Sequence, residues 1–154
     1  MKKGADFEAL MNPRVRSELS KIGADINGTT QIDQLYVLGP KGNMVIFDNG
    51  FVKEVKNELG EVLYIKVVYN DSKYSNAAGW TDNQKTEIID FFKNNPDKYI
   101  VMKVRTSPDK LINTPISQGS EIRLYRQDVY KTISDGNGNF GQTIKMDNIN
   151  FIDK

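Results

Sequence analysis

The side chains that could do chemistry in this chain are carboxylates, tyrosines, lysines and arginines, because it contains no cysteine and no histidine. Nucleophile systems of the Ser-His-Asp or Cys-His type therefore cannot form, and neither can a Cys/His zinc site. We find no carboxylate pair for general acid–base chemistry. The aspartates that we assign to turns or to a polar helix face are Asp48, Asp71, Asp82 and Asp90. We expect a protein that is not an enzyme and needs no cofactor or metal.

Aromatic and basic side chains share one face of several predicted strands, since alternate side chains in a strand point to opposite faces. These outward positions are Tyr64, Lys66, Tyr99, Lys103, Arg105, Arg123, Tyr125 and Lys145. Arg126 and Lys131 lie further along the strand that carries Arg123. The outward set contains no carboxylate, so we expect a surface that attracts anions.

The alternate positions on the same strands are apolar and predict the core. They are Leu63, Ile65, Val67, Ile100, Met102, Val104, Ile122, Leu124, Ile144 and Met146. The pattern of the last strand changes parity before Ile149 and Phe151, which predicts a bulge near residues 147–148.

The charge of the chain is nearly balanced, with 21 basic and 20 acidic residues and a net charge of +1. Residues 99–133 depart from that balance, because they hold six basic and three acidic residues. A basic groove with exposed aromatic rings is typical of proteins that bind single-stranded nucleic acid, where each stacked base contributes about 1–3 kcal/mol. The alternative is that these are ordinary half-exposed strand residues, with lysines protecting sheet edges.

The elements that position these side chains are mostly strands, which we place at residues 31–38, 43–47, 51–56, 62–69, 99–106, 121–133 and 140–152. Asp48-Asn49-Gly50 predicts a hairpin turn, and residues 135–139 predict a glycine-rich one. Residues 81–94 predict a helix. The fold class is therefore mainly β with one or two helices, arranged as a small barrel of about five to seven strands.

The first 30 residues predict a helical arm and a linker, ahead of a barrel domain at residues 31–154. Asn12-Pro13 is a favourable helix start, and Gly23 is a favourable stop. Val15, Leu19 and Ile22 form an apolar stripe between them. The stripe either packs on its own domain or docks on a neighbouring copy, so residues 1–23 are a possible site of homo-oligomerisation.

Three segments of the C-terminal third, 118–125, 135–139 and 147–153, resemble the end of OB-fold single-stranded DNA-binding proteins. The resemblance lies in a Gly-Ser turn before a strand, an Asp-Gly loop and a closing apolar strand. It favours a divergent member from a phage or a conjugative plasmid. It implies an OB-like barrel in which Arg123, Tyr125 and loop 134–140 face single-stranded nucleic acid, DNA rather than RNA, with little sequence specificity. It also implies possible oligomerisation along DNA during replication or transfer.

A second hypothesis is a protein-interaction module, structural or inhibitory, that works through edge strands and the arm. No apolar run approaches the ~20 residues of a membrane span, so we expect no membrane contact. The start of the chain lacks the apolar stretch of a signal peptide, and together with the absence of cysteine this favours the cytoplasm.

Overall fold

The structure is a computed structural model that describes residues 2–74 and 79–145. The predicted closing strand is therefore described as far as Lys145. Met146, the predicted bulge at residues 147–148 and the apolar pair Ile149 and Phe151 lie outside the described residues.

Helices lie at the start of the chain and between two groups of strands. The elements are α1 (Lys2–Met11), α2 (Val15–Lys21), β1 (Thr30–Leu38), β2 (Met44–Lys56), β3 (Val62–Lys73), α3 (Asp82–Gln84), a π-helical turn (Lys85–Ile89), α4 (Asp90–Asn94), β4 (Tyr99–Val104), a 3₁₀ turn (Pro108–Leu111), β5 (Glu121–Ser134) and β6 (Phe140–Lys145). Thr81 begins α3 with a capping box, since its side chain accepts from the Gln84 N–H while the Gln84 side chain accepts from the Thr81 N–H. No helix in these ranges is long and apolar enough to cross a membrane.

The strands form one sheet that closes partly into a ring in the order β1-β2-β3-β5-β4. β3 and β5 run parallel, with the helical segment and β4 between them in sequence, and the other pairs are antiparallel. The β1–β4 closure is short, with the pairs Val37–Val104 and Leu38–Lys103. β6 extends the sheet from β5. The prediction of a mainly β, OB-like small barrel is confirmed.

The core lies inside this ring and holds most of the predicted inward side chains. Val67, Ile100, Met102, Val104, Ile122 and Leu124 are buried, and Ile65 and Ile144 pack against them half-buried. Leu63 was predicted inward but is 58% exposed. The reason is that β5 pairs with β3 from Lys66 onward, so the first residues of β3 extend past the ring together with the end of β2.

The hairpin predicted at Asp48-Asn49-Gly50 is wrong, because all three residues lie inside β2. Gln34, opposite in β1, has a φ of 56° and interrupts the regular pairing there. Gly50 packs closely against β1, since a Cβ at this position would lie 2.6 Å from Cδ2 of Leu35 and the Leu35 side chain would have to move. The Asp-Asn-Gly sequence therefore serves strand packing instead of a turn.

Buried and half-buried polar side chains join four strands on the face of the sheet opposite the core. The Asn49 side-chain amide donates to Oδ1 of Asn12 at 2.9 Å and to Oδ1 of Asp33 at 2.8 Å. Asn70 donates to Oδ1 of Asn49 at 3.0 Å, and the Thr132 hydroxyl donates to Oδ1 of Asn70 at 2.9 Å. We call these five residues the polar ladder. It fixes the register of β1, β2, β3 and β5 without apolar contacts.

The N-terminal helices begin differently from the prediction. Residues 2–11 are already helical, and α2 begins at Val15 with Arg14 as its N-cap residue. Asn12 lies in the turn between the two helices, where its side chain belongs to the polar ladder and not to a helix cap. Gly23, with a φ of 80°, follows the end of α2 as predicted.

The apolar stripe of the arm packs on its own barrel. Val15 and Leu19 are fully buried, and with Ile26 they contact Phe51, Val68 and Tyr130 on the outer face of β2, β3 and β5. Ile22, the third residue of the stripe, is 36% exposed. The sheet thus carries a second small core beneath the arm, and oligomerisation through residues 1–23 stays a prediction.

We expect Asn49→Ala to lower the free energy of unfolding by about 1–3 kcal/mol, because it removes the hydrogen bonds to Asn12 and Asp33 and leaves the buried side-chain N–H of Asn70 without its acceptor. Urea denaturation monitored by circular dichroism measures the change. Asn94→Ala, which removes an exposed amide from the end of α4, is the matched control and should have little effect. Equal stability of Asn49→Ala and the wild type would show that the ladder does not hold the sheet.

Candidate nucleic-acid interface

Four predicted site residues converge on the outer face of the barrel. Tyr64 comes from β3, Tyr99 from β4, and Arg123 and Tyr125 from β5. They meet because β5 lies between β3 and β4, with Tyr99 directly opposite Tyr125. We call this group the tyrosine–arginine cluster.

The guanidinium of Arg123 lies between two aromatic rings of the cluster. Its Cζ is 4.2 Å from the ring centroid of Tyr64 and 4.3 Å from that of Tyr99. The Tyr125 ring lies 5.4 Å from the Tyr99 ring and 6.3 Å from the Tyr64 ring, both tilted. The result is a group of planar side chains around one positive charge, with Tyr99 40% exposed.

The electrostatics of the cluster favour the neutral form of Tyr64 and the charged form of Arg123. A hydrogen bond with Tyr125, followed by burial, raises the pKa of Tyr64. A hydrogen bond with Tyr125 also raises the pKa of Arg123. At neutral pH the Tyr64 ring is therefore an uncharged surface beside a permanent cation.

A row of three cations crosses the sheet beside the cluster. Lys53 of β2 is directly opposite Lys66 of β3, and Lys66 is opposite Arg123 of β5. Adjacent strands are about 4.8 Å apart, so the backbones at the two ends of this cation row are about 10 Å apart. Lys53 was not among the predicted site residues. It could have been found by pairing β2 with β3 across the turn at residues 57–61.

Acidic residues bind part of the cation row. Nζ of Lys66 lies 2.5 Å from Oδ2 of Asp25 and 3.2 Å from Oδ2 of Asp128. Nζ of Lys53 lies 2.9 Å from the other carboxylate oxygen of Asp25. The hydrogen bonds from Lys66 and Lys53 lower the pKa of Asp25, which stays ionised. Lys66 is thus an ion-paired, largely buried cation and not the free surface charge that we predicted.

Two further predicted cations continue the exposed face of β4. Lys103 is exposed, and so is Arg105, which immediately follows the strand. Together with Val101 they line a shallow cavity of about 370 Å³. Glu121 lines it too, on the same side of β5 as Arg123 and directly opposite Lys103. The prediction that the outward face lacks carboxylates is therefore wrong at Glu121.

The structure places the remaining predicted cations away from the cluster. Lys131 is 1% exposed, with its Nζ 5.2 Å from the ring centroid of Trp80. It points inward because the register of β5 against β3 shifts between Leu124 and Val129, which reverses the faces of the later residues. Lys145 lies on β6, opposite Tyr130.

Arg126 lies within the segment where the register shifts, and it is half-buried. Its Nε has no hydrogen-bond partner within the part of the chain that the structure describes. Arg126 is therefore close to the cluster in sequence, but it does not belong to the stack of planar groups.

A pair of carboxyl groups lies at the end of the barrel, where sequence reasoning expected turns. Asp48 and Asp71 lie in β2 and β3, and burial together with the charge of Asp71 raises the pKa of Asp48 to about 9. The Ser72 N–H donates to Asp48 at 2.8 Å, and Nζ of Lys73 lies 2.8 Å from Asp71. At neutral pH Asp48 therefore keeps its proton, while Asp71 forms an ion pair with Lys73.

These carboxyl groups were missed because Asp48 belongs to the Asp-Asn-Gly sequence that we assigned to a turn. Within residues 2–74 and 79–145, no group of three or more acidic side chains is arranged to hold a metal ion. Asp48 therefore carries its proton at the end of the barrel, and the pair lies apart from the tyrosine–arginine cluster on the outer face.

We expect Asp48→Asn to change how stability depends on pH. In the folded protein Asp48 keeps its proton up to about pH 9, whereas in the unfolded chain it loses it near pH 4, so folding is penalised increasingly as the pH rises between these values. Asparagine keeps an acceptor for the Ser72 N–H and carries no charge. At about pH 8 the variant should be more stable than the wild type by at least about 1.4 kcal/mol, a tenfold change in the unfolding equilibrium.

Urea denaturation at about pH 5 and about pH 8 measures this difference in stability. The difference should shrink at the lower pH, because that pH is closer to the pKa of the Asp48 carboxyl group in the unfolded chain. Asp82→Asn is the matched control at an exposed position. A wild type that is as stable as Asp48→Asn at both pH values would contradict the raised pKa.

Comparison with known proteins does not identify the chain. No protein-family model matches it, and no curated protein or solved structure matches it either. The resemblance to OB-fold single-stranded DNA-binding proteins therefore stays a prediction.

Proposed function

We propose that this protein binds single-stranded nucleic acid without catalysing a reaction on it, and that the tyrosine–arginine cluster is the centre of the site. The observation that carries the proposal is the convergence of Tyr64, Tyr99, Tyr125 and Arg123 from three strands onto one outer face of the barrel. These residues are up to 61 positions apart in the sequence, so the fold alone brings them together.

The side chains of the cluster suit a ligand of stacked bases and phosphates. Tyrosine rings offer faces on which any base can stack, and each stacked base contributes about 1–3 kcal/mol. Arg123 supplies a cation among the rings, and Lys103 and Arg105 extend the positive charge along β4. Stacking and phosphate contacts do not distinguish bases, which accounts for little sequence preference.

The proposed biological setting is based on the resemblance of the C-terminal third to OB-fold single-stranded DNA-binding proteins. This resemblance favours DNA over RNA, and a role in replication or transfer of DNA in a phage or a conjugative plasmid. Assembly of several copies along DNA is part of the same expectation. The cytoplasm is favoured separately by the absence of cysteine. The cluster itself supports single-strand binding only, because tyrosine stacking and Arg–phosphate contacts are common to DNA and RNA.

A second candidate function is protein interaction, and the tip of the β2–β3 hairpin favours it. Leu59 is 84% exposed, Leu63 58% and Val62 48%, which places apolar side chains together beyond the ring. Sedimentation velocity of the full chain without nucleic acid tests this function. A dimer that Leu63→Ser dissociates supports it, and a monomer at all concentrations argues against it.

Titration of a labelled oligonucleotide tests the proposed function directly. We expect saturable binding of a single strand at low salt, weaker binding at higher salt because counterions are released, and much weaker binding of a duplex of the same sequence. Absence of single-strand binding at low salt, or binding that is indifferent to salt, would refute the proposal.

We expect Tyr125→Ala to weaken single-strand binding by about 5- to 150-fold, which corresponds to the loss of one stacked base. Tyr125→Phe is the matched control, because it keeps the ring and should bind within a few-fold of the wild type. Thermal unfolding of both variants checks that the barrel is intact. Unchanged affinity of a folded Tyr125→Ala protein would remove Tyr125 from the site.

A further inference from the structure

We propose that Asp25 regulates the nucleic-acid site by occupying two cations of the cation row, so that a bound strand has to displace this carboxylate to reach them. The inference rests on the proposed function and adds a regulatory element to it. Asp25 belongs to the linker between α2 and β1, not to the barrel strands. Its carboxylate takes the position on the lysines that a phosphate of the ligand would take.

The geometry of the contact is that of a bridging anion. One oxygen of Asp25 accepts from Lys53 at 2.9 Å and the other accepts from Lys66 at 2.5 Å. Lys66 in turn is directly opposite Arg123, the cation at the centre of the cluster. A nucleic-acid strand that stacks on the cluster and continues across β3 toward β2 therefore meets Asp25 at the next cation, Lys66.

The linker holds Asp25 in this place through neighbouring contacts. Ile26 is 2% exposed and packs beneath the arm. The Arg16 guanidinium donates to the carbonyls of Ile26 and Thr29 and to the Thr29 hydroxyl, each at 3.1 Å. The contact of Asp25 with the lysines is thus built by the docked arm, and it does not depend on a freely moving side chain.

The exposure of the two carboxylates beside Lys66 shows which ion pair a ligand can replace. The Asp25 side chain is 52% exposed, so solvent or a ligand can reach it, whereas Asp128 on the other side of Lys66 is 3% exposed. Displacement of Asp25 would free Lys53 completely, while Lys66 would keep Asp128 as a partner. The number of phosphates gained is therefore between one and two.

This arrangement predicts that removing the Asp25 charge strengthens binding. Each phosphate contact with a single strand contributes about 0.7 to the slope of log affinity against log salt concentration. Asp25→Asn should therefore steepen the slope by about 0.7–1.4 and tighten binding of a labelled single-stranded oligonucleotide severalfold at low salt. Asp109→Asn is the matched control, since it makes the same charge change at an exposed site in the 3₁₀ turn.

The titration compares wild type, Asp25→Asn and Asp109→Asn at several salt concentrations, and thermal unfolding checks that each protein is folded. A steeper slope for Asp25→Asn alone supports the inference. If the wild type binds and the two variants have equal slopes, the inference is overturned while the proposed function stands. If none of the proteins binds, both are overturned.

A second variant keeps the inference testable if Asp25→Asn loosens the arm. In a Lys53→Gln background the principal cation that Asp25 blocks is already absent. Asp25→Asn should then increase affinity much less than it does in the wild-type background. An equal increase in both backgrounds would show that the effect comes from general charge or from movement of the arm, and would overturn the inference.

Discussion

The arrangement of this protein depends on the pairing of β5 along both edges. The first part of β5 pairs antiparallel with β4, and its other edge pairs in parallel with β3. That pairing closes the ring around the core, and it also places Arg123 and Tyr125 between Tyr64 and Tyr99 on the outside. The same strand therefore closes the barrel and sets the backbone positions of the candidate site.

The register shift within β5 divides the outer surface into two regions. Before the shift, alternate residues of β5 contribute to the tyrosine–arginine cluster, which is open to solvent. After it, Tyr130 and Thr132 face the N-terminal arm, while Lys131 points into the barrel. The boundary between the regions lies beside Lys66, and this is where Asp25 of the linker meets the cation row. The docked arm thus covers the sheet beyond this boundary.

Alternation along single strands correctly placed Tyr99, Arg123 and Tyr125 on the outward face, because they lie in regular segments whose inward neighbours are all apolar. It failed where a contact distant in sequence decides the conformation. Asp48-Asn49-Gly50 favours a turn locally, yet Asn12, Asp33 and Asn70 hold it in a strand. The contacts of Asp25 with Lys53 and Lys66 were likewise invisible, since they require the arm to be docked.

Photo-crosslinking is the measurement that tests the central claim most directly. A single-stranded oligonucleotide containing bromodeoxyuridine is irradiated with the full chain at low salt, and mass spectrometry locates the modified peptides. If nucleic acid binds on the tyrosine–arginine cluster, crosslinks should concentrate on Tyr64, Tyr99 and Tyr125. Crosslinks confined to the arm or to the hairpin tip, or none at all, would contradict the assignment of this face as the binding site.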